Sequence, residues 1–460
     1  MPAVLLGYPR RMPVVVPQPL TSEVTELLQE LIRNGCVNDG TAASGHERRN
    51  AEVLQSVLAG PGLDLEVVEP VPGRATVVAR MEGADREAPS LMLLGHTDVV
   101  PANPEDWRHD PFGGELIDGE VWGRGAVDML NLTSSMAVAL RHLAAGGFRP
   151  RGDLLFVGVA DEEGLGAHGA GWLTEHMADD VSTDYLITEA GGFPRSTPDG
   201  LRLPVITGEK GVFWCTLLVR GTPGHGSQPL RTDSAVVKAA MVVERLAAHE
   251  VPAEIHEAWR RFVEGMGFPG AIGELLLDPE RIDQFCAELP ALGLARQAHA
   301  CTHTTVAPTM MRGGTKLNII PDRAEIQLDI RGLPGWQLPD VEAMVREALG
   351  DLSGDVEVVW HESFPATTSP LDTPLWAAIE RVVQRPYPGA RCVPFVSVGA
   401  TDARFFRRLG TVAYGFGLFS QRLSFEDYAT MFHGVDERVD VESLGLSAGL
   451  WGDLAEALLA

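Results

Sequence analysis

Six short segments carry side chains able to bind a cation or move a proton. LMLLGHTDVVP sets His96 two residues before Asp98. A metal-bound imidazole commonly passes its second N–H to a carboxylate that fixes its tautomer. The pair therefore reads as ligand and orienting group, although a capped loop uses the same residue types. WGRGAVDMLN surrounds Asp128 with glycines that permit a tight backbone, where Asp128 is either a ligand or the cap of the helix that follows. Asp161, Glu162, Glu163 and Gly164 come directly after an apolar run. Adjacent carboxylates repel unless a cation or proton lies between them. Beyond a buried strand they suggest one acid on a metal and one free as base; on an exposed loop they are simply solvated. Glu189 in TEAGG, His433 in FHGVDERV and His225 in GTPGHGSQP complete the set. Any one of these histidines alone reads as structural. Two histidines, a shared aspartate and two glutamates together make a ligand set for two divalent ions about 3.5–4 Å apart, whose chemistry is activation of water.

Such residues meet only if the fold brings scattered segments to one place. Three short apolar runs, Leu91–Leu94, Leu154–Val159 and Tyr185–Thr188, are bounded by turn signals and separated by helical patterns, notably Leu132–Ala145. That alternation predicts an α/β fold with a mostly parallel central sheet. Ligands in such sheets sit beyond the carboxyl ends of the strands, and His96, Asp161–Glu163 and Glu189 each follow a strand's end. Helices are predicted over Ser22–Asn34 and His46–Ala59, and a strand over Val77–Met81. After Gly211 the pattern changes. Val212–Arg220 and Val356–Trp360 read as strands, Ser234–Ala248 and Pro339–Leu349 as helices. Arg323–Arg331 alternates apolar and polar side chains, the mark of a half-exposed antiparallel strand. Residues 250–300 read as a mostly helical insertion. The last third returns to α/β character, with helices over Pro374–Val383, Asp402–Leu409 and Val441–Leu459 and a strand over Thr411–Tyr414. The expected organisation is a discontinuous metal-binding domain, 1–208 and 364–460, with an α+β domain inserted at 209–363.

Composition narrows the class. At 460 residues and 45% apolar, the chain exceeds one typical core and can bury two. A formal net charge of -26 repels phosphate backbones, which argues against nucleic acid as a partner. Cys36, Cys215, Cys286, Cys301 and Cys392 are odd in number and widely spaced, so any metal falls to His, Asp and Glu. Ala3–Tyr8 is too short for a secretory core, and no stretch approaches a membrane span. A cytoplasmic enzyme with no membrane partner is expected.

At these residues the chain resembles the dinuclear zinc peptidase family of glutamate carboxypeptidase, aminoacylase, carnosinase-type dipeptidases and succinyl-diaminopimelate desuccinylase. GHTDVVP, WGRGAVD, DEEG, HGSQP, KLNIIP and DIRGLPG match in order over roughly residues 20–455. The resemblance implies two Zn2+ per chain, with Co2+ or Mn2+ also accepted. His96 and Glu189 would bind one ion, Glu163 and His433 the other, and Asp128 both. Asp98 would orient His96, and Glu162 would be the general base. His225, on a lid that also makes a homodimer, would stabilise the oxyanion; Asn318 and Arg331 would hold a substrate carboxylate. A cis peptide is implied between Asp128 and Met129. Glutamate at 189 leans toward carboxypeptidases and deacylases, so the expected activity is amide hydrolysis of an N-acyl amino acid or short peptide. A dipeptidase, or a catalytically silent dimeric binding protein, is the alternative. The chain departs from the family pattern at Leu130, Asn131 and Ala400.

Overall fold

The computed structural model describes residues 18–289 and 292–460. The N-terminal segment read above, Ala3–Tyr8 included, lies outside the described residues. The chain divides into two compact units. One runs up to Gly164 and takes in Ala377–Ala390 and Gly417–Ala460; the other comprises Leu165–Trp376 and Arg391–Phe416.

The first unit is built on α1 (Gln18–Arg33), α2 (Arg48–Leu58), β1 (Asp64–Val71), β2 (Arg74–Met81), β3 (Leu91–His96), α3 (Leu130–Ala145) and β4 (Leu154–Val159). Its strands lie in the order β1-β2-β4-β3. β3 and β4 are parallel, with Leu91 opposite Leu154 and His96 opposite Val159. That register brings His96 and the Asp161–Glu163 turn out at the same end of the sheet. Every residue of β3 and β4 is buried, as befits a strand pair covered on both faces. β2 pairs antiparallel with both β1 and β4, so the sheet is mixed.

Helix α3 is buried all along Leu130–Leu140, which explains its weak amphipathic pattern. Thr133 Oγ1 donates to the His96 carbonyl at 2.8 Å. A Cβ on Gly95 would stand 2.5 Å from that hydroxyl, so glycine is what lets the helix approach β3 so closely. The close approach carries Asp128, just ahead of the helix, to His96. The C-terminal helix Val441–Leu459 packs on α3, and Trp451 Nε1 donates to Ser135 Oγ at 2.8 Å. Each large apolar side chain buried there contributes about 1.5–3 kcal/mol.

The second unit holds β5 (Tyr185–Thr188), β6 (Gly200–Glu209), β7 (Gly211–Arg220), α4 (Ala235–Ala248), β8 (Thr305–Gly313), β9 (Arg323–Gly332), α5 (Leu338–Leu349), β10 (Val356–Phe364), β11 (Arg391–Ser397) and β12 (Val412–Gly415). β5 and β12 run parallel, as do β6 and β11. β7–β10 form an antiparallel sheet in the order β8-β9-β7-β10. In β9 the alternation read from sequence is the burial pattern: Ala324, Ile326, Leu328 and Ile330 enter a core shared with α4 and α5. This sheet spans Gly211–Phe364, and residues 165–210, 365–376 and 391–416 belong to the same compact unit. Among the described residues, Glu257–Met266, Gly270–Leu276, Ile282–Glu288 and Leu292–Thr302 are helices gathered around Trp259, Phe262 and Val263, packed on Val393 of β11.

Candidate metal centre

Six of the side chains singled out in the sequence, His96, Asp98, Asp128, Glu162, Glu163 and His433, converge in the first unit, at the carboxyl ends of β3 and β4. His96 is 1% exposed. Its Nδ1 lies 2.9 Å from the Asp98 backbone carbonyl, which can only accept, so Nδ1 carries a proton there. The Asp98 carboxylate stands farther off, at 3.6 Å. Orientation of His96 therefore comes through the main chain of Asp98. The Asp98 carboxylate accepts instead from Glu162 N at 3.2 Å, Glu163 N at 3.0 Å and Asn38 Nδ2 at 2.9 Å. It shapes the acidic turn, Glu162–Gly164, which forms a short 3-10 helix.

Asp128 sits between two imidazoles. Its Oδ1 is 3.2 Å from His96 Nε2, and its Oδ2 is 3.2 Å from His433 Nε2. His433 Nε2 is also 3.3 Å from Glu163 Oε2. The Asp128–Met129 peptide is cis. Burial alone would raise the Asp128 carboxyl, but His433 and His96 override it and hold the group well below the usual carboxylate range. Glu163 moves the other way: burial and the Asp128 charge push its pKa up. Its Oε1 is buried with no hydrogen-bond partner. A carboxylate oxygen so placed costs free energy unless a cation or proton takes it.

Two groups of ligand atoms in this unit lie within 4.8 Å of one another, His96 with Glu162 and Glu163, and Asp128 with Glu163 and His433. Imidazole nitrogens and carboxylate oxygens suit zinc, cobalt or manganese. The donor set, the orphaned Glu163 oxygen and the doubly engaged Asp128 all fit a bound cation pair.

The supporting shell was not read from sequence. Arg74 Nη1 lies 2.6 Å from Glu47 Oε1 and 3.5 Å from Asp161 Oδ1, all three groups buried. Asn38 Nδ2 reaches Asp161 Oδ1 at 3.2 Å as well as Asp98. Glu437 is fully buried and accepts at both oxygens: Val127 N at 2.7 Å and Asp128 N at 2.9 Å on one, Arg124 Nη1 at 2.9 Å and Gly125 N at 3.1 Å on the other. It thereby fixes the glycine-rich turn that presents Asp128. Arg124 and Glu437 both lie inside the WGRGAVD and HGVDERV segments, so the signal was present. Glu437→Ala leaves the buried Arg124 guanidinium and three amides without their acceptor. The expected loss of stability is about 3–5 kcal/mol, to be read from the denaturant midpoint.

The remaining candidates belong to the second unit. Glu189 follows β5 directly and is 8% exposed. His225 lies on a two-residue strand paired with Ile319–Ile320. Ser227 N donates to its Nδ1 at 3.2 Å. The proton of a neutral His225 is therefore on Nε2, the tautomer an oxyanion donor needs. Asn318 shares that ribbon, its carbonyl accepting from Gly226 N at 2.9 Å. Arg331, on β9, closes its guanidinium on Asp329 through contacts of 2.7 and 3.1 Å. Of the departures, Leu130 and Asn131 are buried in the first turn of α3. Ala400 precedes Thr401, whose N–H donates to Glu209 at 2.6 Å.

A profile described as peptidase family M20/M25/M40 matches residues 92–457. The chain belongs to that family. It is 27% identical over 431 residues to the N-fatty-acyl-amino acid synthase/hydrolase PM20D1 of Xenopus tropicalis, covering 90% of this chain and 82% of that protein. It is 28% identical over 367 residues to the succinyl-diaminopimelate desuccinylase of Maricaulis maris, covering 78% of each. Among solved structures, the M20 family metallo-carboxypeptidase of Sulfolobus solfataricus superposes with a TM-score of 0.73 at 18% identity, over 95% of this chain and 99% of that one. The chain is thus an M20-family hydrolase of mixed α/β fold. Among the described residues no helix is long and apolar enough to cross a membrane.

Proposed function

We propose that this hydrolase cleaves the amide bond of a small carboxylate-bearing substrate, an N-acyl amino acid or a short peptide, with two divalent ions as cofactor. The observation that carries the reading is Asp128, whose two oxygens face two different imidazoles. His96 and Glu189 would hold one ion, Glu163 and His433 the other, and Asp128 both; zinc is the first choice, and cobalt or manganese would serve. When bound, the ions supply Lewis acidity toward water and carbonyl oxygen. Glu162 takes the proton of the attacking water and returns it to the leaving amine. His225, protonated at Nε2, donates to the developing oxyanion. Asn318 and Arg331 hold the substrate carboxylate, with Arg331 leaving Asp329 to do so. The named activities of the M20 relatives, on N-fatty-acyl-amino acids and succinyl-diaminopimelate, support the acyl-amino-acid class.

A homodimer through the 209–363 region is part of the reading. β8 is an edge strand, and its Met310 and Met311 are 44% and 45% exposed, as are Val237 and Met241 of α4 at 59% and 40%. A cytoplasmic location is supported by five cysteines that are in no disulfide among the described residues, four of them buried.

The test is hydrolysis by zinc-loaded and cobalt-loaded protein across N-acyl amino acids and dipeptides. Release of free amino acid from the acyl series is expected. Turnover of dipeptides alone makes it a dipeptidase, and metal uptake without any turnover makes it a silent binding protein. Metal uptake itself should depend on pH. Without metal, Asp128 and Glu163 push the His433 pKa up to about 10, so at neutral pH Nε2 is protonated and each ion bound there displaces a proton. Affinity measured by chelator competition should rise about tenfold per pH unit from about pH 6 to 9. A flat profile would contradict the role of His433.

A further inference from the structure

A second cluster of metal-binding side chains lies in the helical part of the second unit, built from Asp283, His299 and His303. The helix Ile282–Glu288 carries Asp283; the helix Leu292–Thr302 carries His299, with His303 one turn on. One ligand atom from each lies within 4.8 Å of the others. Histidines spaced i, i+4 put both rings over one face of a helix, the spacing used to grip a single ion. The two rings stack at 4.2 Å between centroids, 9° from parallel.

The tautomer of His303 is fixed by its neighbours. Its Nδ1 lies 3.0 Å from the His299 carbonyl, which only accepts. The nearby Thr302 hydroxyl has its own proton on the Ala298 carbonyl at 2.7 Å, so toward Nδ1 it also accepts. Nδ1 is therefore the protonated nitrogen, and in a neutral ring Nε2 presents a lone pair. That Nε2 is buried without a hydrogen bond, on a residue only 2% exposed, and it faces Asp283 Oδ1 at 3.1 Å. A lone pair against a carboxylate oxygen is repulsive unless a cation lies between them. A proton there would pair His303 with Asp283 alone and leave the stacked His299 ring unused. A divalent ion neutralises Asp283 and uses all three donors.

We propose that Asp283, His299 and His303 form a separate zinc-binding site, with water completing the tetrahedron on the open side where Asp283 and His299 are exposed. The site is rigid on its inner side. Buried Lys210 donates to the His303 carbonyl at 2.7 Å and to that of Ala300 at 2.9 Å, which ties the end of the helix down. The Nδ1–carbonyl bond is the outer contact that orients a ligating histidine. The ion would clamp the helices bearing Asp283 and His299; it would take no part in amide hydrolysis.

The full-length chain, loaded with zinc and desalted, should carry about three zinc ions by elemental analysis, two at the Asp128 centre and one here. His299→Gln, on an exposed side chain, should bring the count to about two and keep the hydrolytic rate. Asp283→Asn should do the same. The Asp128→Ala chain should keep about one zinc, lost on adding His299→Gln. Equal zinc in the native chain and His299→Gln, or none in Asp128→Ala, would overturn the site. Either result leaves the reading of the Asp128 centre untouched.

Discussion

Glu162→Gln is expected to lower kcat by about 10²–10⁴-fold, the usual worth of a positioned general acid–base, while zinc content stays at the native level. Asp98 accepts from the amides of both Glu162 and Glu163, so the two carboxylates leave the same anchored backbone by different directions. Glu163 points to His433, at 3.3 Å. Glu162 offers an oxygen within 4.8 Å of ligand atoms of His96 and Glu163, near enough to reach a water held by that centre. A glutamine keeps the size and the backbone anchor but cannot take a proton. KM should move little, because the amide removes an interaction used along the reaction and not in binding. Glu162→Asp retains the acid one methylene short and should recover part of the rate. The measurements are steady-state turnover and metal analysis of the same preparation. Undiminished turnover in Glu162→Gln would give the proton to another group.

How much of this was legible in the sequence depends on how local each signal is. β3 and β4 are continuous apolar runs, and a parallel pair with its ligands just past the strand ends follows from that pattern alone; the register of His96 opposite Val159 is its realisation. Four of the strands outside the sequence reading carry interior prolines: Pro70 in β1, Pro204 in β6, Pro308 in β8 and Pro394 in β11. Proline lacks the amide that a ladder uses and ordinarily argues against a strand, yet tertiary packing holds β6 buried along most of its length. The supporting charges were silent for another reason. Arg74 finds Glu47 27 residues away, and Arg124 finds Glu437 313 residues away. Nothing in the sequence around either arginine says that it is buried, because a buried charge is tolerable only through a partner supplied by the finished fold. The role of Asp98 shows the same limit at short range. Two-residue spacing brought it to His96, but which of its oxygens does the orienting is a matter of backbone path.

Asp128→Ala should abolish hydrolysis and strip both ions from the Asp128 centre, leaving the fold intact by circular dichroism. The effect should exceed the about 10–100-fold that loss of an outer partner costs a metal site, because this residue serves both ions at once. The geometry separates two further cases. Oδ1 faces His96 and Oδ2 faces His433, so an asparagine in the same place has one oxygen and one NH2, and only the oxygen can ligate. Asp128→Asn should therefore retain one ion of this centre more tightly than the other, so that the two are released to a chelator in separate steps. His433→Ala should weaken only its own side, since His96 keeps its carbonyl anchor on Asp98 at 2.9 Å. Asp128→Ala protein that holds its metal and its rate would show that the two imidazoles do not share an ion pair through this carboxylate. Equal loss of both ions in Asp128→Asn would show that the ions bind as one cooperative unit instead of two sites joined by a bridge.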